Sequence, residues 1–353
     1  MILEYLPYTV LLFLVYVIAI NKKEARQNKL LWIFMLFSLF SGLRYNVGHD
    51  YMDYYEAVLQ GKGGGADRFE FLFRYLCYIL VGMPALFMLV TSFATQYFVI
   101  KGIGKFSPQI ATPIIAYLCV PFFFIEYMCV IRFAFAVALM FYAILSYLDN
   151  KKIWLFLVFY VVAINCHVTA AITILALIPF SKLSPKIHLI FLIGSFFVGQ
   201  VVLNYFVHLD YLEMMDAYYS RYLINENTDE GQKMLLVYAF FAFLNILCLY
   251  RAKKEKSNYL PLLSLVNIGF CLLFMFSYNL MFAGRISRYF IMLFVVALPL
   301  YKIPFLKMKS SVVVLRMVLV LLFFAELYIS QNSFYTTKSK SYMPYEMILF
   351  KDN

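Results

Sequence analysis

Charged side chains are scarce in this chain. Asp, Glu, Lys and Arg together make up 14% of its 353 residues, where a soluble domain carries about a quarter. With a mean hydropathy of +0.80, that shortage excludes a soluble enzyme and a disordered protein. Cysteine is sparse and unpatterned. Cys77, Cys119, Cys129, Cys166, Cys248 and Cys271 all sit in apolar stretches without a C-x-x-C spacing. This excludes a secreted disulfide scaffold and reads as buried small hydrophobes. There is no Walker loop, no G-x-G-x-x-G after a strand and no H-E-x-x-H, so no nucleotide or redox cofactor is expected. Long hydrophilic segments are also missing, the longest between apolar runs being roughly residues 44–69. No soluble domain fits, and the whole of 1–353 reads as one transmembrane domain.

What the chain has instead is apolar length. Hydrophobic residues make up 64% of it and aromatics 20%. About 20 apolar residues cross a bilayer core of about 30 Å. Apolar runs fall near residues 6–20, 30–43, 83–100, 110–125, 127–148, 153–166, 168–180, 187–207, 234–250, 259–281, 289–301 and 311–330. The fold class that follows is all-α, a polytopic integral membrane protein with about twelve transmembrane helices. Polar residues at 44, 126 and 167 interrupt the runs, and 69–82 reads as a half-helix at the interface or an extra partial span.

The net charge is +11, from 30 basic and 19 acidic residues. In a soluble chain such an excess points to nucleic acid; in an apolar one it first reports orientation. Fifteen of the twenty lysines fall in the alternate loops 21–29, 101–109, 149–152, 181–186, 251–258 and 302–310. The positive-inside rule puts those loops in the cytoplasm and both termini outside, and no nucleic-acid partner is expected. The first apolar run has its lysines after it, unlike a cleavable signal peptide. Arginine behaves oppositely. Arg44, Arg68, Arg74, Arg132, Arg221, Arg285 and Arg288, seven of the ten, fall on the outer side in this topology. A guanidinium fork grips phosphate or carboxylate bidentately, and ionisable groups at membrane depth are functional candidates. Snorkelling at a helix end is the alternative. It suits Arg68 and Arg74 better than Arg132, Arg285 and Arg288, which have apolar sequence on both sides.

The outer face also collects the acids. Residues 208–233 hold Asp210, Glu213, Asp216, Glu226, Asp229 and Glu230 beside Arg221, Tyr211, Tyr218, Tyr219 and Tyr222, a composition that fits either a carbohydrate surface or an interfacial aromatic belt. The densest stretch is residues 42–56, G-L-R-Y-N-V-G-H-D-Y-M-D-Y-Y-E. Gly48 permits a turn with positive φ, and Asp50 is placed to cap a short helix. On that helix Asp50, Asp53 and Glu56 share one face and Tyr51, Tyr54 and Tyr55 line the next. The segment is a capped interfacial helix, or a substrate platform anchored by Arg44, with Tyr51, Asp53, Tyr54, Tyr55 and Arg221 as sugar-binding candidates. The three acids are the nearest approach to a metal site, and amphipathic helices often produce such a face. Arg132 lies about one and a half turns into an apolar helix, with Glu126 as its expected ion-pair partner. His167 sits at a sharp outer turn between two short spans. Gly284-Arg285-Ile286-Ser287-Arg288-Tyr289 sets two arginines three apart on one helical face, a suitable clamp for pyrophosphate.

These strings carry a resemblance. Residues 42–55 are similar to the signature of the EpsG-type polysaccharide polymerases, relatives of the Wzy O-antigen polymerases. Ile131-Arg132-Phe133-Ala134-Phe135-Ala136 resembles the family's I-R-x-x-x-A element, and Cys166-His167-Val168-Thr169-Ala170 its aromatic-His-x-Ser-Ala element, in the family's order. Phe133 stands where a Gln is expected and Cys166 where an aromatic is. The resemblance implies a GT-C-like glycosyltransferase on the outer face of the bacterial cytoplasmic membrane. Its substrate would be oligosaccharide repeat units on undecaprenyl pyrophosphate, joined into O-antigen, capsule or exopolysaccharide without a metal. A chain-length-determining co-polymerase and membrane lipid are the implied partners. Such chemistry needs positive charge on the pyrophosphate leaving group, for which Arg132, Arg285, Arg288 and Arg44 are the candidates. His167, Asp50 and Glu126 are the candidates for a general base on the acceptor hydroxyl. Two other readings stay open. One is an O-antigen ligase or another lipid-carrier sugar transferase. The other, of a different class, is a lipid-linked oligosaccharide flippase or transporter, which should show repeated halves and mid-span charges; the sequence shows no convincing half-to-half similarity, and the outer-side arginines cluster at one face.

Overall fold

The computed structural model describes every residue except 1, 49, 62–65, 67–68, 121–122, 208–228, 278–279, 333–341, 343–344 and 349–353. The apolar runs fold into helices, beginning with α1 (Ile2–Ile20) and α2 (Arg26–Gly42). Two short helices follow, α3 (Tyr51–Gln60) and α4 (Phe71–Ile79), then the long α5 (Pro84–Phe106). Next come α6 (Ala111–Cys119), α7 (Phe124–Cys129), α8 (Ile131–Asn150), α9 (Ile153–Ile164) and a 3₁₀ segment, Val168–Leu177. After a 3₁₀ turn at Phe180–Lys182 lie α10 (Pro185–Val207), α11 (Asp229–Lys254) and α12 (Leu260–Met275). The chain closes with α13 (Leu280–Ile291), α14 (Phe294–Ala297), a 3₁₀ turn at Leu298–Leu300 and α15 (Met308–Asn332). Among the described residues there is no strand, and the one isolated bridge pairs Arg44 with Met347.

Four helices are long and apolar enough to cross a membrane: Pro84–Phe106, Ile131–Asn150, Leu235–Lys254 and Met308–Tyr328. A fifth crossing results if Phe282–Ile291 and Phe294–Leu300, bent by 43° at their junction, form one span. The architecture is therefore all-helical with four to five candidate spans among the described residues, where the sequence predicts about twelve. Length makes the difference. The run at 110–125 forms α6 and α7, the run at 153–166 a helix of 12 residues, and the run at 168–180 a 3₁₀ segment of 10. At about 1.5 Å of rise per α-helical residue, none of those α-helices covers a bilayer core alone.

The helices form two compact units, one of Met1–Ala171 with Val313–Asn353, the other of Ile172–Val312. In the first, α2 packs on α5, α5 on α8 and α8 on α9, while α1 lies against α2 and α6. In lipid, helices associate through close fit and polar contacts rather than through hydrophobic expulsion. Both devices are present. A Cβ on Gly102 of α5 would stand 2.6 Å from the Phe141 ring of α8, so glycine lets the two helices close up. Buried hydroxyls on α5 find carbonyls: Thr91 donates to Phe87 O at 2.8 Å, Thr95 to Thr91 O at 2.8 Å and Ser92 to Ser38 O of α2 at 3.0 Å. Arg26 opens α2 and donates to the carbonyls of Gly104, Ser107 and Pro108 at the end of α5, where unpaired carbonyls collect. Beyond α15 the chain returns as a strap. Tyr45 N donates to Glu346 O and Ile348 N to Leu43 O, both at 2.8 Å, and Tyr345 stacks on Phe40 with ring centroids 4.2 Å apart.

In the second unit α12 packs against α10, α11 and α13. Asn245 of α11 donates to Leu263 O at 3.1 Å and accepts from the Tyr301 hydroxyl at 2.8 Å. A Cβ on Gly269 of α12 would stand 2.8 Å from Ile291 N, again a close helix pair built on a small residue.

Candidate functional site

The signature loop leaves α2 at Leu43 and turns back through two left-handed residues, Asn46 at φ +50° and Gly48 at φ +100°. Asn tolerates this region and Gly enters it without penalty. At Gly48 space is limiting as well, since a Cβ would stand 2.8 Å from Cys129 Sγ and 3.1 Å from its Cα. The loop thus lies directly against the end of α7. Asp50 occupies the N-cap place of α3 as expected, although its side chain makes no cap hydrogen bond.

Arg44 is buried beneath this loop, 2% exposed. Its Nε donates to Val47 O at 3.2 Å, Nη1 to Ser41 O and Nη2 to Met128 O. Its guanidinium lies 5.5 Å from the centroid of the Tyr51 ring. Burial lowers its affinity for the proton, against the opposing pull of Tyr51. Its fork is thus committed to interior carbonyls, tying the loop to the ends of α2 and α7. Sequence reasoning assigns Arg44 to pyrophosphate; its geometry is that of a structural tie.

Arg132 is placed differently. It sits in the first turn of α8 with its side chain 17% exposed, and its Nη1 pairs with Oε2 of Glu70, itself 23% exposed. Its Nε donates to the Tyr54 hydroxyl at 3.2 Å, and its backbone N reaches the same oxygen at 3.5 Å. The guanidinium lies 4.4 Å from the Phe69 ring centroid, a cation–π contact. Burial holds the Tyr54 phenol above its ordinary range, with Arg132 opposing and the Asp50 charge adding to the rise. Tyr54 is therefore a neutral hydroxyl whose oxygen accepts from Arg132.

The other oxygen of Glu70 accepts from the Val168 amide at 3.4 Å. Leu72 N donates to Asn165 O at 3.1 Å, fastening α4 to the same turn. Next to Val168, the His167 ring lies edge-on to Phe133 at 5.3 Å, with Nδ1 2.7 Å from Thr169 Oγ1. Three strings that the sequence marks separately, around Tyr54, Arg132 and His167, therefore meet in one cluster of the first unit. Glu70 joins them.

Glu70 is also the correction. The expected partner of Arg132 was Glu126, six residues away; among the described residues the carboxylate on Arg132 is Glu70. Glu126 stands half-buried on α7 on the side of Tyr342, whose phenol is raised by burial first and then by the Cys129 and Glu126 charges. The one local signal for Glu70 is that it is the lone acid of the 69–82 run, at its second position, and it takes the N-cap place of α4.

The expected sugar platform is only partly open. Tyr51 and Tyr54 are 0% and 2% exposed, while Tyr55 is half-buried and Asp53 and Glu56 are exposed. Arg285 and Arg288 lie three residues apart on α13 of the second unit, Arg285 half-buried and Arg288 buried against Gly284. Arg221, with the rest of 208–228, and Arg68 lie outside the described residues. Among the described residues no three His, Cys, Asp or Glu side chains gather as a metal site would require.

No curated protein and no solved structure matches the chain. A family model described as the EpsG family matches residues 27–347, a span that contains the signature loop and the Arg132 cluster. The chain belongs to the EpsG family, and with its apolar spans this makes it a membrane protein of the polysaccharide-polymerase kind.

Proposed function

We propose that the protein is a GT-C-like membrane glycosyltransferase that joins oligosaccharide repeat units carried on undecaprenyl pyrophosphate. It works on the outer face of the bacterial cytoplasmic membrane and builds O-antigen, capsule or exopolysaccharide. About twelve membrane passages, several of them short, follow the apolar runs of the sequence in this reading. The observation that carries it is Arg132. A guanidinium at the mouth of a membrane helix is fixed by Tyr54 and Phe69 and remains partly open. Transfer from a pyrophosphate carrier needs positive charge that binds the departing group more strongly than the resting one, and an oriented guanidinium supplies it. The donor is already activated, so the reading calls for no metal. Arg285 and Arg288 act as a second phosphate clamp. An apolar cavity of about 770 Å³ between α1, α2 and the strap, lined by Leu11, Leu39 and Tyr345 among others, suits an isoprenoid tail. Of the three sequence-named proton acceptors, His167 stands beside Phe133 in the Arg132 cluster, and Asp50 is near enough to Tyr54 for its charge to raise that phenol.

The test is the surface-polysaccharide profile of a deletion strain carrying wild-type or variant protein. Wild type restores the ladder, and Arg132→Ala leaves single repeat units still attached. Complete loss of attachment in the deletion strain would instead mark a ligase or flippase. A normal ladder with Arg132→Ala overturns the assignment of the leaving-group site.

A further inference from the structure

Glu70 is the member of the cluster that no motif assigns. One carboxylate oxygen pairs with Arg132 and the other accepts from the Val168 amide at 3.4 Å. We propose that Glu70 is an exchangeable counter-ion: the pyrophosphate of the donor displaces it from Arg132, and the displaced carboxylate takes the proton of the acceptor hydroxyl. This rests on the reading of the protein as a glycosyltransferase with a pyrophosphate leaving group.

The geometry allows the exchange. Arg132 is held from its other side, by the Tyr54 hydroxyl on Nε and by the Phe69 ring, so it keeps its place when Glu70 leaves. Glu70 precedes α4 in extended backbone, φ −60° and ψ 157°, and its side chain makes no cap hydrogen bond. It can therefore swing without unravelling the helix. Both partners are partly exposed, 17% and 23%, and solvent-screened pairs are weak. A pyrophosphate carries more charge and fits the guanidinium fork better than one carboxylate oxygen does. The Val168 amide keeps the displaced side chain beside His167 and within the cluster.

The step balances. The acceptor oxygen bonds to the anomeric carbon of the donor sugar, and the bond from that carbon to the pyrophosphate oxygen breaks. The electron pair leaves with the lipid pyrophosphate, whose added negative charge faces Arg132. The hydroxyl proton passes to Glu70, which becomes the neutral acid. The carboxylate oxygen that pairs with Arg132 is occupied until the donor displaces it, so the base can reach the acceptor hydroxyl only when donor is bound. Without donor, the ion pair keeps that base from activating water.

The experiment measures inorganic pyrophosphate binding to the full-length protein in detergent, alongside the polysaccharide ladder in the deletion strain. Glu70→Gln removes the competing charge, so pyrophosphate binds about three- to tenfold more tightly than to wild type. Polymer formation falls by about a hundredfold or more, and Glu70→Asp recovers part of it. A merely structural Glu70 would weaken both in Glu70→Gln. Unchanged or weaker binding by Glu70→Gln, or no pyrophosphate binding by wild type, overturns the counter-ion. A normal ladder with Glu70→Gln overturns the base. Failure of the underlying reading looks different: Arg132→Ala then binds pyrophosphate and polymerises like wild type.

Discussion

The amide of Val168 donates to Oε1 of Glu70 across 3.4 Å, and this contact links the turn that carries His167 to the ion pair of Arg132. With the Leu72–Asn165 hydrogen bond, it makes α4 part of the site although the helix is only 9 residues long. The short helices α3 and α4 thus serve as frames for Tyr54, Phe69 and Glu70 around one guanidinium.

That frame predicts the effect of a single oxygen. Tyr54→Phe keeps the ring and removes the acceptor of Arg132 Nε. The lost charge-assisted bond is worth about 1.5–3 kcal/mol. Expressed wholly in the transition state, this lowers transfer by about tenfold to a hundredfold, while folding changes little because the ring packing stays. Ladder intensity and chain length in the deletion strain measure it; wild-type ladders would mean that Tyr54 does not orient Arg132.

Gly48 is constrained by its backbone and by its neighbour. Gly48→Ala pays for φ +100° and for a Cβ placed 2.8 Å from Cys129 Sγ, so it destabilises by about 2–4 kcal/mol. The double variant with Cys129→Ala removes the Sγ overlap and leaves the φ strain, recovering about 1 kcal/mol. Thermal midpoints of the detergent-solubilised variants give both terms. Additive losses would show that the loop moves away from α7 instead of straining.

Arg44 predicts a folding defect. Arg44→Lys replaces a fork bonded to three carbonyls with a point charge that cannot reach all of them. It costs about 3 kcal/mol or more. Protein level in the membrane falls, and the fraction that folds still binds inorganic pyrophosphate. Normal accumulation combined with lost pyrophosphate binding would return Arg44 to the leaving-group site.

The strap offers a graded test. Tyr345→Phe loses the 2.5 Å bond to Phe40 O and costs about 1 kcal/mol. Tyr345→Ala also loses the stack on Phe40 and costs about 2–3 kcal/mol more. Burial raises the Tyr345 phenol, with Arg44 opposing. A raised phenol favours the folded state below the unfolded tyrosine range near about 10 and loses that support as pH climbs further. The wild-type midpoint is accordingly flat through neutral pH with respect to this group and drops in alkali, and Tyr345→Phe drops less. Equal alkaline drops would remove Tyr345 from the account.

The physics explains which of these features the sequence discloses. Helix positions follow from apolar runs, and the Gly48 turn follows from its missing Cβ. The number of crossings does not follow, because a break such as Val130, at φ −99° and ψ 64°, leaves no mark on hydropathy. Arg132 stands out because an isolated charge in an apolar helix is costly. Its partner does not, because Glu70 is 62 residues distant in sequence and no local spacing encodes a tertiary ion pair; Glu126 is merely the nearest acid. Arg44 is ambiguous for a related reason. The fork that suits phosphate suits backbone carbonyls equally, and only packing decides which it meets. On α3 the aromatic face is legible, but its inward turn depends on Phe69, Phe87 and Arg132, which pack around Tyr54.

Orientation can be tested directly, because all six native cysteines are buried and introduced ones will be read without background. Asp53 is exposed on α3, and Lys152 is exposed between α8 and α9. α8 runs 20 residues between the Arg132 end and the lysine end, about 30 Å, which matches a bilayer core. The two sites therefore belong to opposite faces. A membrane-impermeant maleimide should label Asp53→Cys in intact spheroplasts and Lys152→Cys only after the membrane is opened. The reverse pattern would put Arg132 on the cytoplasmic side, where a polymerase acting outside could not use it.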